Sequence, residues 1–135
     1  DRVRQALRIA IITACACGAF ISVSMWLGAP SLTAIFLSPA ETAYTLAADG
    51  LPILGICALF FALNITFIGY YQSREQAGRA TVYMLLRGII FMVPGFIFLP
   101  GLIGEPGLWL AIPLAEFITL AVITAKYIYD HRRFN

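Results

Sequence analysis

Apolar residues run through this chain in four long stretches, at about 9–28, 51–71, 80–103 and 107–129. Each is long enough to cross a bilayer, which takes about 20 mostly apolar residues. Leu, Ile, Phe, Val and Ala occupy every face without strict alternation, so the pattern predicts helices rather than barrel strands. Helices of a soluble core would each carry a polar face, and these segments lack one. The expected fold class is therefore all-α integral membrane, with four transmembrane helices forming one region over residues 1–135.

The 29–50 connection carries a signal of its own. Ser38-Pro39-Ala40-Glu41 reads as an N-cap, a proline at the first helical position and a capping-box acid. This predicts a helical connection within 30–49, running through Ala47 and Ala48 into the second span. Gly50 and Pro52 then mark a bend.

Composition sharpens the picture. Hydrophobic residues make up 61% and charged residues 12%, with a mean hydropathy of +0.87. Soluble chains hold about 45–50% apolar and about 25% charged residues. A water-soluble globule, a disordered tail and a nucleic-acid binder are poor fits. The net charge of +2 says little, whereas its distribution says more. Arg2, Arg4 and Arg8 precede the first span, and Arg74 and Arg79 join the second and third, with Arg87 two turns further in. Lys126, Arg132 and Arg133 close the fourth. The other two connections hold only Glu41, Asp49 and Glu105. By the positive-inside rule both termini are expected in the cytoplasm, in a multi-pass inner-membrane protein. Trp26 and Trp109 near the outer ends, and Tyr70, Tyr71, Tyr127 and Tyr129 near the inner ends, suit aromatic belts. The chain begins with Asp1 rather than Met, and is expected to be part of a longer protein.

Three polar residues lie within the spans: Asn64, Arg87 and Glu116. At about 1.5 Å per residue, Arg87 lies about 13 Å and Asn64 about 12 Å from the inner ends, and Glu116 about 16 Å from the outer end. Unpaired, either charge costs at least about 2.5–3.5 kcal/mol in a bilayer. Arg87 and Glu116 are therefore expected to face each other, with Asn64 as a third member. Two roles stay open, an ion- or substrate-coupling network and a structural clamp. Arginine does not release its proton, which favours the clamp.

Other positions carry weaker signals. Thr13, Cys17 and Ser24, with Cys15 and Ser22 nearby, form a small-residue stripe expected to pack the first span against a neighbour. Cys15 and Cys17 point about 200° apart on a helix and Cys57 is on another span, so no metal site or redox pair is expected. Pro52, Pro94 and Pro113 are hinge candidates. Phe60, Phe61 and Phe67 are cavity-lining candidates. Gly69 and Gly78 read as helix punctuation around the inner loop, and His131 as a headgroup-facing tail residue. No catalytic constellation or phosphate loop is present, so neither an enzyme nor a cofactor is expected.

Four segments occur in a telling order: Ile35-Phe36-Leu37-Ser38-Pro39-Ala40-Glu41, Gly69-Tyr70-Tyr71-Gln72-Ser73, Leu85-Leu86-Arg87-Gly88, and Gly107-Leu108-Trp109-Leu110-Ala111-Ile112-Pro113-Leu114-Ala115-Glu116. Together they resemble the C-terminal part of the multidrug and toxic compound extrusion (MATE) family. That resemblance implies four spans of a twelve-helix, two-bundle transporter, the ninth to the twelfth. It further implies export of small amphiphilic or cationic substrates in exchange for H⁺ or Na⁺. The partners so implied are the lipid bilayer and the N-terminal helices of the same transporter. The family's proton-linked Asp falls outside this chain. In some members a cation site combines acids on the seventh and tenth spans, but here the seventh is absent and the second span contains no acid, only Asn64. Alternatives are a lipid-linked or polysaccharide flippase of the same superfamily, a four-span multidrug transporter working as a dimer, and a non-transporting scaffold subunit.

Overall fold

The computed structural model describes residues 2–133, without the side chains of His131 and Arg133, so the reading of His131 lies outside the described residues. The chain forms α1 (Arg2–Phe36), α2 (Thr42–Ser73), α3 (Ala77–Leu85), a π-helical segment (Leu86–Phe91), α4 (Met92–Ile103) and α5 (Pro106–Arg133). α3, the π segment and α4 follow one another without a break as a single span, Ala77–Ile103. Four helices are thus long and apolar enough to cross a membrane. Much of their surface is apolar and uncovered: Phe20, Trp26, Leu27 and Phe36 are between 67% and 84% exposed. Lipid suits such a surface and water does not.

The helices overrun the apolar stretches, and the 29–50 connection shrinks accordingly. α1 continues through Pro30 to Phe36, and α2 begins at Thr42 with Glu41 as its N-cap. Ser38 is therefore not the N-cap that its sequence context suggests. With only 37–41 left to reverse the chain, Ser38-Pro39-Ala40-Glu41 closes as a turn. The Glu41 N–H donates to the Ser38 carbonyl at 2.9 Å, and the Ser38 N–H reaches Glu41 Oε1 at 3.4 Å. α2 then runs unbroken through Gly50 and Pro52.

The loop between α2 and α3 is also built differently from its sequence reading. Gly69 lies inside α2 and Gly78 inside α3, so neither makes the turn. Glu75 makes it, with φ 58°. The Glu75 N–H donates to the Gln72 carbonyl and the Gln76 N–H to the Tyr71 carbonyl, both at 3.0 Å. This is a Schellman cap with glutamate in the left-handed position that glycine usually takes. At the other end Gly104, φ 73°, stops α4, and Pro106 opens α5 where a missing N–H is harmless.

α2 is central: it packs against α1 and α5, and α5 packs in turn against α4. The α1–α2 seam is made by small residues, of which the expected stripe supplies Ser22. Thr13, Cys17 and Ser24 are exposed, whereas Gly18, Ala29 and Thr33 are buried on the next face round. A Cβ on Gly18 would stand 2.8 Å from the Leu59 backbone, and Ser22 Oγ donates to the Gly55 carbonyl at 2.6 Å. Close backbone approach is what drives helix association when lipid is as apolar as the side chains. At the basic end, Phe67, Ile68, Tyr71, Ala80, Tyr83 and Ile123 form the core. Tyr71 and Tyr83 are thus packed ring to ring rather than lying in a belt, while Tyr129 is exposed. Near the other end of α2, the Trp109 indole lies directly over Gly50.

Candidate functional site

Three spans meet at one buried carboxylate. α5 carries Glu116 beside Ala111, Ala115, Thr119 and Ile123, a buried row spaced four residues apart that faces its neighbours. Gly95 of α4 packs onto Ala111, since even a Cβ there would meet it at 3.3 Å. That close contact draws the third span against α5 and brings Arg87 within reach of Glu116. α2 approaches from the other side with Asn64.

The resulting geometry is tight. Arg87 Nε donates to Glu116 Oε1 at 2.7 Å. Asn64 Nδ2 donates to Glu116 Oε2 at 2.7 Å and to the Glu116 backbone carbonyl at 2.8 Å. Asn64 is fully buried and the Glu116 side chain is 5% exposed, while Arg87 keeps 20% of its side chain open. Both oxygens of the carboxylate are thus occupied by donors, one of them cationic. The guanidinium and the amide hold the carboxylate from two different spans. Asn64 Oδ1 is buried with no donor among the described residues. The open flank is aromatic: the Arg87 guanidinium carbon lies 4.5 Å from the Phe61 ring centroid.

Sequence reasoning singled out all three polar residues but not the backbone beneath them. Arg87 sits in the π-helical segment, whose wider turns interrupt the α pattern from Leu86 to Phe91. Pro94 follows three residues later and cannot donate to the Ile90 carbonyl, so the α ladder is already broken there. π turns inside α-helices are frequent at functional positions.

The remaining candidates separate. Phe61 belongs to the site through Arg87. Phe60 meets Phe117 edge to face, with centroids 5.4 Å apart, beside it. Phe67 does not line a cavity: it is buried in the core against Tyr127. Pro52 and Pro113 sit inside α2 and α5, and Pro94 near the start of α4. One polar group was missed entirely. Asp130 takes Arg79 at 2.8 Å and Lys126 at 3.1 Å, tying the start of the third span to the end of the fourth. Lys126 is one helical turn away, but Arg79 is distant in sequence and gave no cue.

A family model described as MatE matches residues 1–100, which include Asn64 and Arg87 but not Glu116. No curated protein matches the chain, and no solved structure does. With most of its length covered by that model, and four apolar helices carrying a charged network between them, the chain belongs to the MatE family of multi-pass membrane transporters.

Proposed function

We propose that this chain is part of a secondary active antiporter that exports small amphiphilic or cationic compounds in exchange for H⁺ or Na⁺. Its partners are the N-terminal helices of the same transporter and the inner-membrane lipid, with both termini of this segment in the cytoplasm. The observation that carries the reading is the Asn64–Glu116–Arg87 network buried between three apolar spans. Intramembrane ionisable residues are seldom kept without a role. Transport by alternating access needs helices that move as one body, and this network ties α2, the π segment and α5 together. Its role is that of a clamp, because Asn64 of α2 and Arg87 of the third span both bond the same carboxylate of α5.

A second reading rests on Asn64 Oδ1. A buried acceptor without a donor, on the residue that also holds the carboxylate, offers a seat for a coupling cation. Replacing Glu116 with Gln separates the two. A clamp predicts loss of folded protein in the membrane, and a coupling site predicts normal protein level with transport abolished.

The test of the overall function is ethidium accumulation in cells carrying the intact gene against cells lacking it. The antiporter reading predicts lower accumulation, restored by collapsing either the proton or the sodium gradient. Equal accumulation with and without the gene would favour the scaffold alternative. Export of a lipid-linked sugar without dye efflux would favour the flippase.

A further inference from the structure

At the basic end of the molecule α2 separates α1 from α5, and a groove of about 360 Å³ opens between those two helices. Arg4, Leu7, Arg8, Ile11 and Ile12 of α1 line it, and Tyr127 of α5 faces them. Arg4 and Arg8 stand one helical turn apart and share a face. Arg8 has no hydrogen bond or ion pair among the described residues, and Asp130 at the same end is engaged by Arg79 and Lys126. Beyond the arginines the wall turns apolar: Leu7 is buried, Ile11 half-buried and Ile12 59% exposed. The groove therefore joins cationic donors at the mouth of the first span to an apolar floor leading into it.

We propose that this groove holds an anionic phospholipid, its phosphate on Arg4 and Arg8 and one acyl chain along Leu7, Ile11 and Ile12. Basic pockets between spans at the cytoplasmic face suit anionic headgroups. A free inorganic anion would use the arginines alone and leave the apolar floor without purpose. Charge complementarity selects an anionic lipid, and the exposed isoleucine selects a ligand with a chain. The proposal rests on the reading that places this end in the anionic, cytoplasmic leaflet.

The full chain, purified in neutral detergent, is titrated with dioleoyl-phosphatidylglycerol or dioleoyl-phosphatidylcholine, and bound lipid is counted by native mass spectrometry. At about 1 kcal/mol from Arg8 alone, phosphatidylglycerol is expected to bind at least about fivefold tighter than phosphatidylcholine. Arg8→Gln is expected to remove about fivefold of that preference, and Arg8→Lys to keep most of it. Ile12→Asn is expected to weaken both lipids, and glycerol 3-phosphate at millimolar concentration to displace neither. Equal binding of the two lipids, an unchanged preference in Arg8→Gln, or displacement by glycerol 3-phosphate would each overturn the proposal. So would binding of neither lipid with Arg8→Gln lowering thermal stability, which marks the groove as a protein contact. Impermeant labelling of a single cysteine at position 75 in intact cells keeps the two readings apart. Labelling from outside would overturn the cytoplasmic placement and the lipid site with it, whereas protection from the reagent without a lipid preference overturns the lipid site alone.

Discussion

Glu116 accepts from a cation on one oxygen and from an amide on the other, so what replaces a partner matters more than which partner is lost. Asn64→Asp would set a second carboxylate where the Asn64 amide now stands, 2.7 Å from Oε2. Like charges at that distance repel, and the two bonds the amide donates are lost with it. The variant is therefore expected to melt lower in detergent than the parent. A melting temperature equal to the parent's would show that the amide does not face the carboxylate. Glu75 offers the opposite kind of change. Its left-handed backbone costs a side-chain-bearing residue about 1–2 kcal/mol, which glycine avoids. Glu75→Gly is expected to raise thermal stability by about 1 kcal/mol, read as a higher melting temperature. A decrease would mean that the carboxylate, not the backbone, stabilises the loop.

Between elements, the distances are set by residues with no side chain at all. A Cβ on Gly50 would fall 2.2 Å from the Trp109 ring, so Gly50→Ala must displace the indole or part α2 from α5. Overpacking of this kind costs about 1–3 kcal/mol. The expected readout is a shift in tryptophan emission together with a lower melting temperature, and the loss of stability is relieved when Trp109→Leu is added. Persistence of the loss in the double variant would place the strain elsewhere. These seams explain why the helices were legible in the sequence while their faces were not. Length and hydropathy identify a span, but an apolar helix in lipid has no polar face to fix its rotation. The Thr13, Cys17 and Ser24 stripe and the buried Gly18 and Ala29 face differ by about 100° of rotation, one residue step. Only the partner helix decides between them. The Ser38 signal misled for a related reason. A capping motif says that a helix starts nearby, and the overrun of α1 moved the start to Thr42.

For the molecule as a whole, the partition of basic residues and the three intramembrane polar side chains carried most of what could be read beforehand. The pairing of Arg87 with Glu116 was legible because an unpaired charge at that depth is so costly that depth alone nominates the partner. The π segment was hidden, since it depends on how Pro94 and Gly95 settle against Ala111 rather than on any local preference. The aromatic core at the basic end was hidden likewise, because tyrosines near a span end suit a belt and a core equally well. Topology is open to direct test: single cysteines at position 40 and position 75, in a background without Cys15, Cys17 and Cys57, are expected to react with impermeant reagent from opposite sides. Position 40 should label from outside intact cells, and labelling of position 75 there instead would invert the orientation.

If Arg87 and Glu116 clamp the spans together, a double-replacement cycle reads that coupling out. Removing one partner of a buried pair leaves an uncompensated charge and costs about 3–5 kcal/mol, whereas replacing both with apolar residues of similar size is often neutral. Thermal unfolding of Arg87→Met, Glu116→Met and the double variant should therefore show two unstable single variants and a double variant recovering most of the parent's stability. A double variant as unstable as the two losses added together would contradict the clamp.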